Sequence, residues 1–148
     1  MLYFKKTKSA VSLIIAFIIL SSNFNVANAT LGWSASEPPA RITYGEYYCD
    51  VSIANGIRTD KHYAEASTTL TTSNSTINRG GSVSAAFYVL NTSTNETSSF
   101  GRGDGGANGG GVTATRSGDE VFYKVVSDHT ATYGTAYYHY DDLTCVAP

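Results

Sequence analysis

Hydrophobic and polar side chains alternate along most of the chain after residue 40. The clearest run covers residues 82–90, where Val83, Ala85, Phe87 and Val89 alternate with smaller or more polar residues. A period of two is typical of a β-strand with one buried face. No segment after residue 29 keeps apolar residues on one helical face for three turns. The pattern therefore predicts strands and no helix.

Further alternating segments are separated by residues that favour turns. They cover residues 42–53, 61–72, 112–116, 120–127 and 130–141, and a short piece ends at Phe100. Asn55-Gly56 predicts a tight turn, and Gly134 predicts a bulge or bend. Six to seven short strands favour an all-β fold, a small antiparallel β-sandwich of immunoglobulin-like proportions, with a small β-barrel as the alternative. Residues 30–40, with Pro38-Pro39, are predicted as an extended leader before a domain at 41–148.

The most glycine-rich segment of the chain is residues 101–111, GRGDGGANGGG. It predicts a flexible loop, because glycine loses more conformational entropy on ordering than any other residue. The tripeptide Arg102-Gly103-Asp104 within it is one that integrin-binding proteins display on exposed loops. The tripeptide is too short to be specific, and the composition of the segment alone accounts for it.

The first 29 residues contain, in order, the three parts of a secretory signal peptide. Three lysines form a basic start, residues 10–20 form an apolar run, and residues 27–29 (ANA) match a signal-peptidase site. The apolar run is about half the length that a bilayer-spanning helix needs, so an uncleaved anchor is the less favoured alternative. The mature protein is expected to begin at Thr30 and to be secreted, and the lysine-rich start is typical of Gram-positive bacteria.

Removal of the signal changes the charge balance of the protein. Three lysines and no acidic residue are lost, which leaves seven basic and twelve acidic residues, a net charge of −5. An acidic surface without a Lys/Arg cluster argues against nucleic-acid partners and against adsorption to anionic lipid. No second apolar stretch is long enough to span a membrane, and no phosphate-binding motif is present. We expect no cofactor.

The mature chain retains two cysteines, Cys49 and Cys145. In an oxidising compartment they predict one disulfide between the first strand and the C-terminal residues, with two free thiols or an intermolecular bridge as alternatives. Closing so long a loop would stabilise the fold by about 4–5 kcal/mol in the chain-entropy model. The Cys…Trp…Cys order of immunoglobulin domains is absent, because the single tryptophan, Trp33, precedes Cys49.

Tyrosine is the compositional anomaly, since the mature chain has 10 Tyr and 17 Thr but only four Leu. Tyr47 and Tyr48 are adjacent in the first strand, as are Tyr137 and Tyr138 in the last, so one of each pair must face outwards. Exposed tyrosines offer stiff, amphipathic contact area, although tyrosine also fills strand faces beside solvent. The candidate surface for a glycan, cell-surface or protein ligand comprises Tyr47, Tyr48, Tyr137, Tyr138, Tyr140 and His139.

The histidines suggest two kinds of chemistry. His129 and His139 are ten residues apart, about 33 Å along a straight strand, and could share a metal only if Gly134 folded the segment into a hairpin. No HxH or HExxH motif is present, so we predict no metal site. His139 and Asp141 lie two residues apart on one strand face and could form the pair that supports a serine nucleophile. No GxSxG motif accompanies this pair.

Composition and motifs together favour a secreted, non-enzymatic binding domain. One alternative is a secreted antimicrobial, bacteriocin-like or toxin-like effector. Another is a hydrolase that uses His139 and Asp141. The sequence leaves the ligand and the oligomeric state open.

Overall fold

The computed structural model describes residues 31–148, and the predicted signal peptide lies outside them. This part of the chain forms nine β-strands and no helix, and so contains no helix that could span a membrane. The strands are β1 (Leu31–Ser36), β2 (Ala40–Tyr44), β3 (Tyr47–Arg58), β4 (Tyr63–Thr72), β5 (Arg79–Asn91), β6 (Glu96–Gly106), β7 (Gly109–Thr115), β8 (Glu120–Tyr133) and β9 (Ala136–Val146).

The strands form two antiparallel sheets that stack as a sandwich, which confirms the predicted fold class. The first sheet has the order β1-β3-β4-β7, and β2 also pairs with β3. The second sheet has the order β6-β5-β8-β9. The strands β6 and β7 follow each other in the chain but belong to different sheets, so the short turn between them crosses the sandwich. The described residues hold more strands than the six to seven predicted.

Side chains from the inner faces of the sheets form two apolar clusters. The first contains Phe87 and Phe122, whose ring centroids are 5.9 Å apart. The second contains Val51, Ile53 and Tyr133. Strands β3, β4 and β8 supply residues to both clusters, and at the positions between the clusters they carry buried polar side chains instead. We call this group the polar belt, and it comprises Asn55, Thr68, Ser127 and His129.

Two segments that lie outside the predicted strands form strands in the structure. Residues 31–36 of the predicted leader form β1, which pairs with the second half of β3. Asn55 and Gly56 do not turn, since both lie inside β3 and pair with β1 and β4. The amide of Asn55 hydrogen-bonds in the core, and this tertiary contact overrides the local preference for a turn.

The glycine-rich segment is mostly strand, so the prediction of a flexible loop was wrong. It supplies the end of β6 and the start of β7, and only Ala107 and Asn108 form the turn. The glycines allow the two sheets to approach closely at this turn. A Cβ on Gly110 of the first sheet would collide with the carbonyl oxygen of Asp104 in the second sheet, and Gly109 has a φ of +112°. The Arg102-Gly103-Asp104 tripeptide therefore lies in a paired strand.

The predicted disulfide between Cys49 and Cys145 is wrong, because the two residues lie at opposite ends of the sandwich. Both are free and buried. Cys49 belongs to the second apolar cluster, whereas Cys145 belongs to the first and lies beside the backbone of Ile57. Ile57 is eight residues beyond Cys49 on β3, which is about 26 Å along the strand. A disulfide requires Cα atoms within about 7 Å of each other.

We expect the purified protein to contain two reduced thiols per chain. Burial raises the pKa of the Cys49 thiol and of the Cys145 thiol, so both should react slowly in the native state. The measurement is a thiol titration without reductant, before and after denaturation. Two thiols should appear on denaturation, and reductant should leave the unfolding midpoint unchanged. A denatured, unreduced chain that yields no thiol would contradict this arrangement.

Candidate functional site

Two hairpins meet at one end of the sandwich. The turn between β2 and β3 carries Tyr44 and Tyr47, which pair directly across the hairpin. The turn between β8 and β9 contains Gly134, with a φ of +59°, and a Cβ there would lie 2.5 Å from the ring of Tyr44. Gly134 thus forms a turn rather than the predicted bend within one strand. Its lack of a side chain lets the Tyr44 ring pack against this turn.

Exposed aromatic side chains are concentrated at this end. Tyr44, Tyr47 and Tyr48 come from the first hairpin, and Tyr137 follows the second. Tyr137 is 61% exposed, the most exposed of the four. We call the following five side chains the tyrosine rim: Tyr44, Tyr47, Tyr48, Tyr137 and His139.

Tyr48 lies on the outer face of the first sheet beside an ion pair. The guanidinium carbon of Arg41 is 3.8 Å from the centroid of the Tyr48 ring. Arg41 donates from Nε and Nη2 to the two carboxylate oxygens of Asp50, at 2.7 and 2.8 Å. The hydrogen bond to Asp50 raises the pKa of Arg41. This bidentate pair holds the guanidinium over the aromatic ring.

Tyr137 lies on the outer face of the second sheet beside a contact between His139 and Asp141. The ring centroids of Tyr137 and His139 are 6.1 Å apart. Nε2 of His139 is 2.7 Å from Oδ1 of Asp141, so the predicted His139–Asp141 contact is present. Each of the two outer faces therefore presents tyrosine beside a pair of polar side chains in contact, Arg41 and Asp50 on one face and His139 and Asp141 on the other.

Tyr138 and Tyr140 point the other way and are not part of the rim. Both are half-buried and pack against the second apolar cluster. Tyr140 Oη donates to Oε1 of Glu37 at 2.7 Å, and this hydrogen bond raises the pKa of Tyr140. Burial raises the pKa of Tyr138. These two tyrosines anchor the edge strand β9 to the segment between β1 and β2.

Tyr44 joins the rim although the sequence analysis did not include it among the candidate residues. The sequence feature that could have identified Tyr44 is the segment Tyr44-Gly45-Glu46-Tyr47. Gly45 has a φ of +62°, and it forms the tip of a hairpin that brings the two tyrosines together. A glycine that lies close to a tyrosine on each side is consistent with such a turn, because glycine adopts a positive φ without steric cost.

The His139–Asp141 pair lacks the surroundings of a hydrolase site. The side chains of His139 and Asp141 are 45% and 64% exposed, so water surrounds both. The cross-strand neighbour of His139 is Thr130, whose hydroxyl hydrogen-bonds Ser82 Oγ at 2.7 Å. Within residues 31–148 no serine or threonine hydroxyl hydrogen-bonds the His139 ring. A nucleophile is activated by such a contact with its base.

The histidines do not converge on a common site. Gly134 does fold β8 and β9 into a hairpin, which places His129 and His139 at neighbouring register positions. His129 is nevertheless buried between the sheets, and His139 is on the outer face. The ring of His62 contacts the carbonyl oxygen of Glu120 through Nδ1 at 3.1 Å. Within the described residues no three His, Cys, Asp or Glu side chains are grouped closely enough to hold a metal.

The polar belt is a directed chain of hydrogen bonds across the interface between the sheets. Asn55 Nδ2 donates to Ser127 Oγ at 2.8 Å and to the carbonyl oxygen of Leu143 at 2.6 Å. Ser127 Oγ lies 2.8 Å from Nε2 of His129, and Thr68 Oγ1 lies 2.8 Å from Nδ1. Thr68 donates to a backbone carbonyl, so it accepts from His129 Nδ1–H, and Ser127 donates to Nε2. This donor order assigns the Nδ1–H tautomer.

The belt resembles part of a catalytic triad in composition but is closed to substrates. His129 has no exposed surface, and Ser127 is 1% exposed. Burial lowers the pKa of His129 to about 4, and the nearby charge of Asp128 opposes this shift only in part. His129 is therefore neutral at pH 7, and we assign it to the core. The sequence signal for the belt was a polar residue at inward positions, since Asn55 and His129 alternate in phase with apolar neighbours.

Comparison with known proteins supplies no assignment, because no family model, curated protein or solved structure matches the chain.

Proposed function

We propose that this chain is a secreted, non-enzymatic binding domain and that the tyrosine rim holds its ligand. One observation carries the proposal. The described residues leave five large apolar side chains exposed, and four of them are tyrosines of the two hairpins at one end. The fifth, Val146, lies at the far end of β9. An aromatic cluster of this kind is the most distinctive part of the surface.

The chemistry of the rim favours a carbohydrate ligand. A tyrosine ring is flat and apolar with a polar tip, and it can stack on the C–H face of a sugar ring. The Arg41–Asp50 ion pair beside Tyr48 and the His139–Asp141 pair beside Tyr137 offer donors and acceptors for sugar hydroxyl groups. The rim is divided between the outer faces and the end of the sandwich. We therefore propose that it contacts an extended polysaccharide on a cell surface rather than a small soluble sugar.

Removal of a rim tyrosine should weaken retention on the polysaccharide without unfolding the domain. The assay mixes the secreted protein with insoluble polysaccharides and with bacterial cells, and then measures protein in the pellet. Tyr47→Ala and Tyr137→Ala should each weaken retention about tenfold or more, since an aromatic contact of this size contributes more than about 1.4 kcal/mol. Both side chains are exposed, so the fold should survive.

The matched control is Tyr123→Ala, which removes a tyrosine from the other half of the second sheet, where it contacts Tyr88. Retention of this variant should equal that of the wild type. Equal losses in all three variants, or no retention on any material, would refute the proposal. Death of the retained cells would instead favour the toxin-like alternative.

A further inference from the structure

Strand β6 forms a long edge of the second sheet. Within residues 31–148 it pairs only with β5, so the backbone N–H and C=O groups along its other side have no strand partner. Edge strands are usually protected from other chains by charged side chains, most often lysine, by proline or by a bulge. β6 contains neither lysine nor proline, and its register with β5 runs from Glu96 to Gly106 without a shift. Ten of its eleven residues are exposed, and Gly110 of β7 lies against the backbone of Asp104 and Gly105.

The sequence of β6 is complementary to itself around Gly103. In Gly101-Arg102-Gly103-Asp104-Gly105, an antiparallel pairing centred on Gly103 places each Arg102 opposite Asp104 of a second copy. Gly101 of one copy then lies opposite Gly105 of the other copy. Directly opposite side chains on antiparallel strands have Cβ atoms about 4.5–5.5 Å apart, and opposite charges there are stabilising. The same pairing repeats on both sides of the two-fold axis.

The charged groups are available for this pairing. Arg102 forms no ion pair within the described residues, and its guanidinium carbon lies 5.8 Å from the ring centroid of Phe100. Asp104 accepts a hydrogen bond from the backbone N–H of Gly111 through Oδ2 at 3.0 Å. The Oδ1 atom of Asp104 remains for an arginine on the opposing strand. A carboxylate held in place by Gly111 is also a pre-organised acceptor.

We propose that two copies of this chain associate edge to edge through β6, antiparallel and centred on Gly103. Arg102 and Asp104 pair with Ala85 and Val83, so they share the inner face, and the outer face of β6 carries only glycine from 101 to 105. The contact joins the two four-stranded sheets into one continuous sheet with no outer side chain to clash. It is isologous and therefore closes as a dimer.

The geometry of the dimer has a consequence for the tyrosine rim. The rim lies at the end of the second sheet nearest Gly106, since Gly81 pairs with both Gly106 and Ala131. Antiparallel strands run in opposite directions, so the two rims point to opposite ends of the dimer. Such a dimer connects two separate surfaces that each carry ligand, and its two rims do not bind the same surface. The association through β6 does not depend on the proposed function of the rim.

Charge reversal at β6 tests the proposal. The full-length chain, purified as its host processes it, is studied by sedimentation velocity from about 5 to about 500 µM, because an edge contact of this size is weak. The wild type should pass from monomer to dimer across this range. Arg102→Asp should weaken the dimer about tenfold or more, because two like-charge pairs replace two ion pairs. The double variant Arg102→Asp/Asp104→Arg restores opposite charges and should restore the dimer.

Lys124→Asp on β8 makes the same change of charge away from the edge and should leave the dimer unchanged. Amide hydrogen exchange supplies a second readout on the wild type: N–H groups within residues 101–105 should become more protected as the concentration rises. A wild type that stays monomeric throughout, or a dimer that Arg102→Asp leaves intact, would overturn the proposal. Failure of a folded double variant to dimerise would overturn the Arg102–Asp104 pairing.

Discussion

Acidification from pH 7 to pH 4 should lower the free energy of unfolding by about 2–3 kcal/mol through His129 alone. Its pKa is about 4 in the folded protein, where burial disfavours the charged ring, and 6.5 is the ordinary value that applies after unfolding. Between these values the unfolded state binds more protons. The contribution of His129 is therefore complete above about pH 6.5, declines as the pH falls, and levels off below about pH 4.

The reason for the effect lies in the donor order of the polar belt. A proton on Nε2 would face the hydroxyl of Ser127, which already accepts from Asn55 and would lose its own acceptor. The ring would also carry a charge at a site with no exposed surface. A buried charge without a partner is more costly than a buried neutral ring.

Denaturant unfolding of the wild type and of His129→Gln between pH 7 and pH 4 measures this contribution. Gln has a donor and an acceptor but does not titrate. The difference in unfolding free energy between the two proteins should fall by the stated amount as the pH drops, whatever the exposed acids contribute to both. An NMR titration of the native protein gives the pKa of His129 directly. A value near 6.5, or equal pH dependence in the two proteins, would contradict a buried neutral ring.

Replacement of Asn55 by alanine should cost about 2–4 kcal/mol of unfolding free energy. The side chain is 1% exposed and donates two hydrogen bonds to the second sheet. The change leaves the carbonyl oxygen of Leu143 without that donor, removes one partner of Ser127 and opens a cavity between the sheets. Unfolding in denaturant, followed by tryptophan fluorescence and circular dichroism, measures the loss.

Asn78→Ala is the matched control for this change. Asn78 is exposed, and among the described residues its side chain makes no hydrogen bond, so its loss should cost no more than about 0.5 kcal/mol. Equal effects of the two substitutions would mean that the belt does not join the sheets. A loss confined to Asn55→Ala supports the hydrogen bonds described above.

The alternation of polar and apolar residues was sufficient to predict the all-β sandwich. β5 was clear from sequence because Val83, Ala85, Phe87 and Val89 all face one core, and a period of two does not depend on which strands are neighbours. The order of strands in each sheet was not predictable in this way. It depends on contacts between residues far apart in the chain, such as the pairing of β5 with β8.

The errors in the fold came from local signals that tertiary contacts override. Asn55-Gly56 has the sequence of a turn, yet the Asn55 amide has its partners in the other sheet. Two cysteines in a chain with a predicted signal peptide favour a disulfide, but their spacing carries no information about which ends of the sandwich they occupy. Both lie at inward positions of alternating strands, where a buried thiol behaves as a small apolar side chain.

The candidate surface was predictable by residue type but not by orientation. Alternation requires that one of Tyr137 and Tyr138 face outwards, and it does not say which. Tyr48 faces outwards, whereas Tyr47 is exposed although it is in phase with the buried Cys49, because the hairpin that carries it lies at the end of the sandwich. The meeting of this hairpin with Gly134 depends on the packing of the two sheets and has no signal in local sequence.

Chemical-shift mapping tests most directly whether the tyrosine rim is the binding surface. A soluble fragment of the polysaccharide that retains the protein is titrated into ¹⁵N-labelled protein, and every backbone amide is followed. We expect the largest shifts in the two hairpins that carry Tyr44, Tyr47 and Tyr137, with small shifts elsewhere. Shifts centred on the β6–β7 edge or on the far end of β9, with the rim unaffected, would contradict the account.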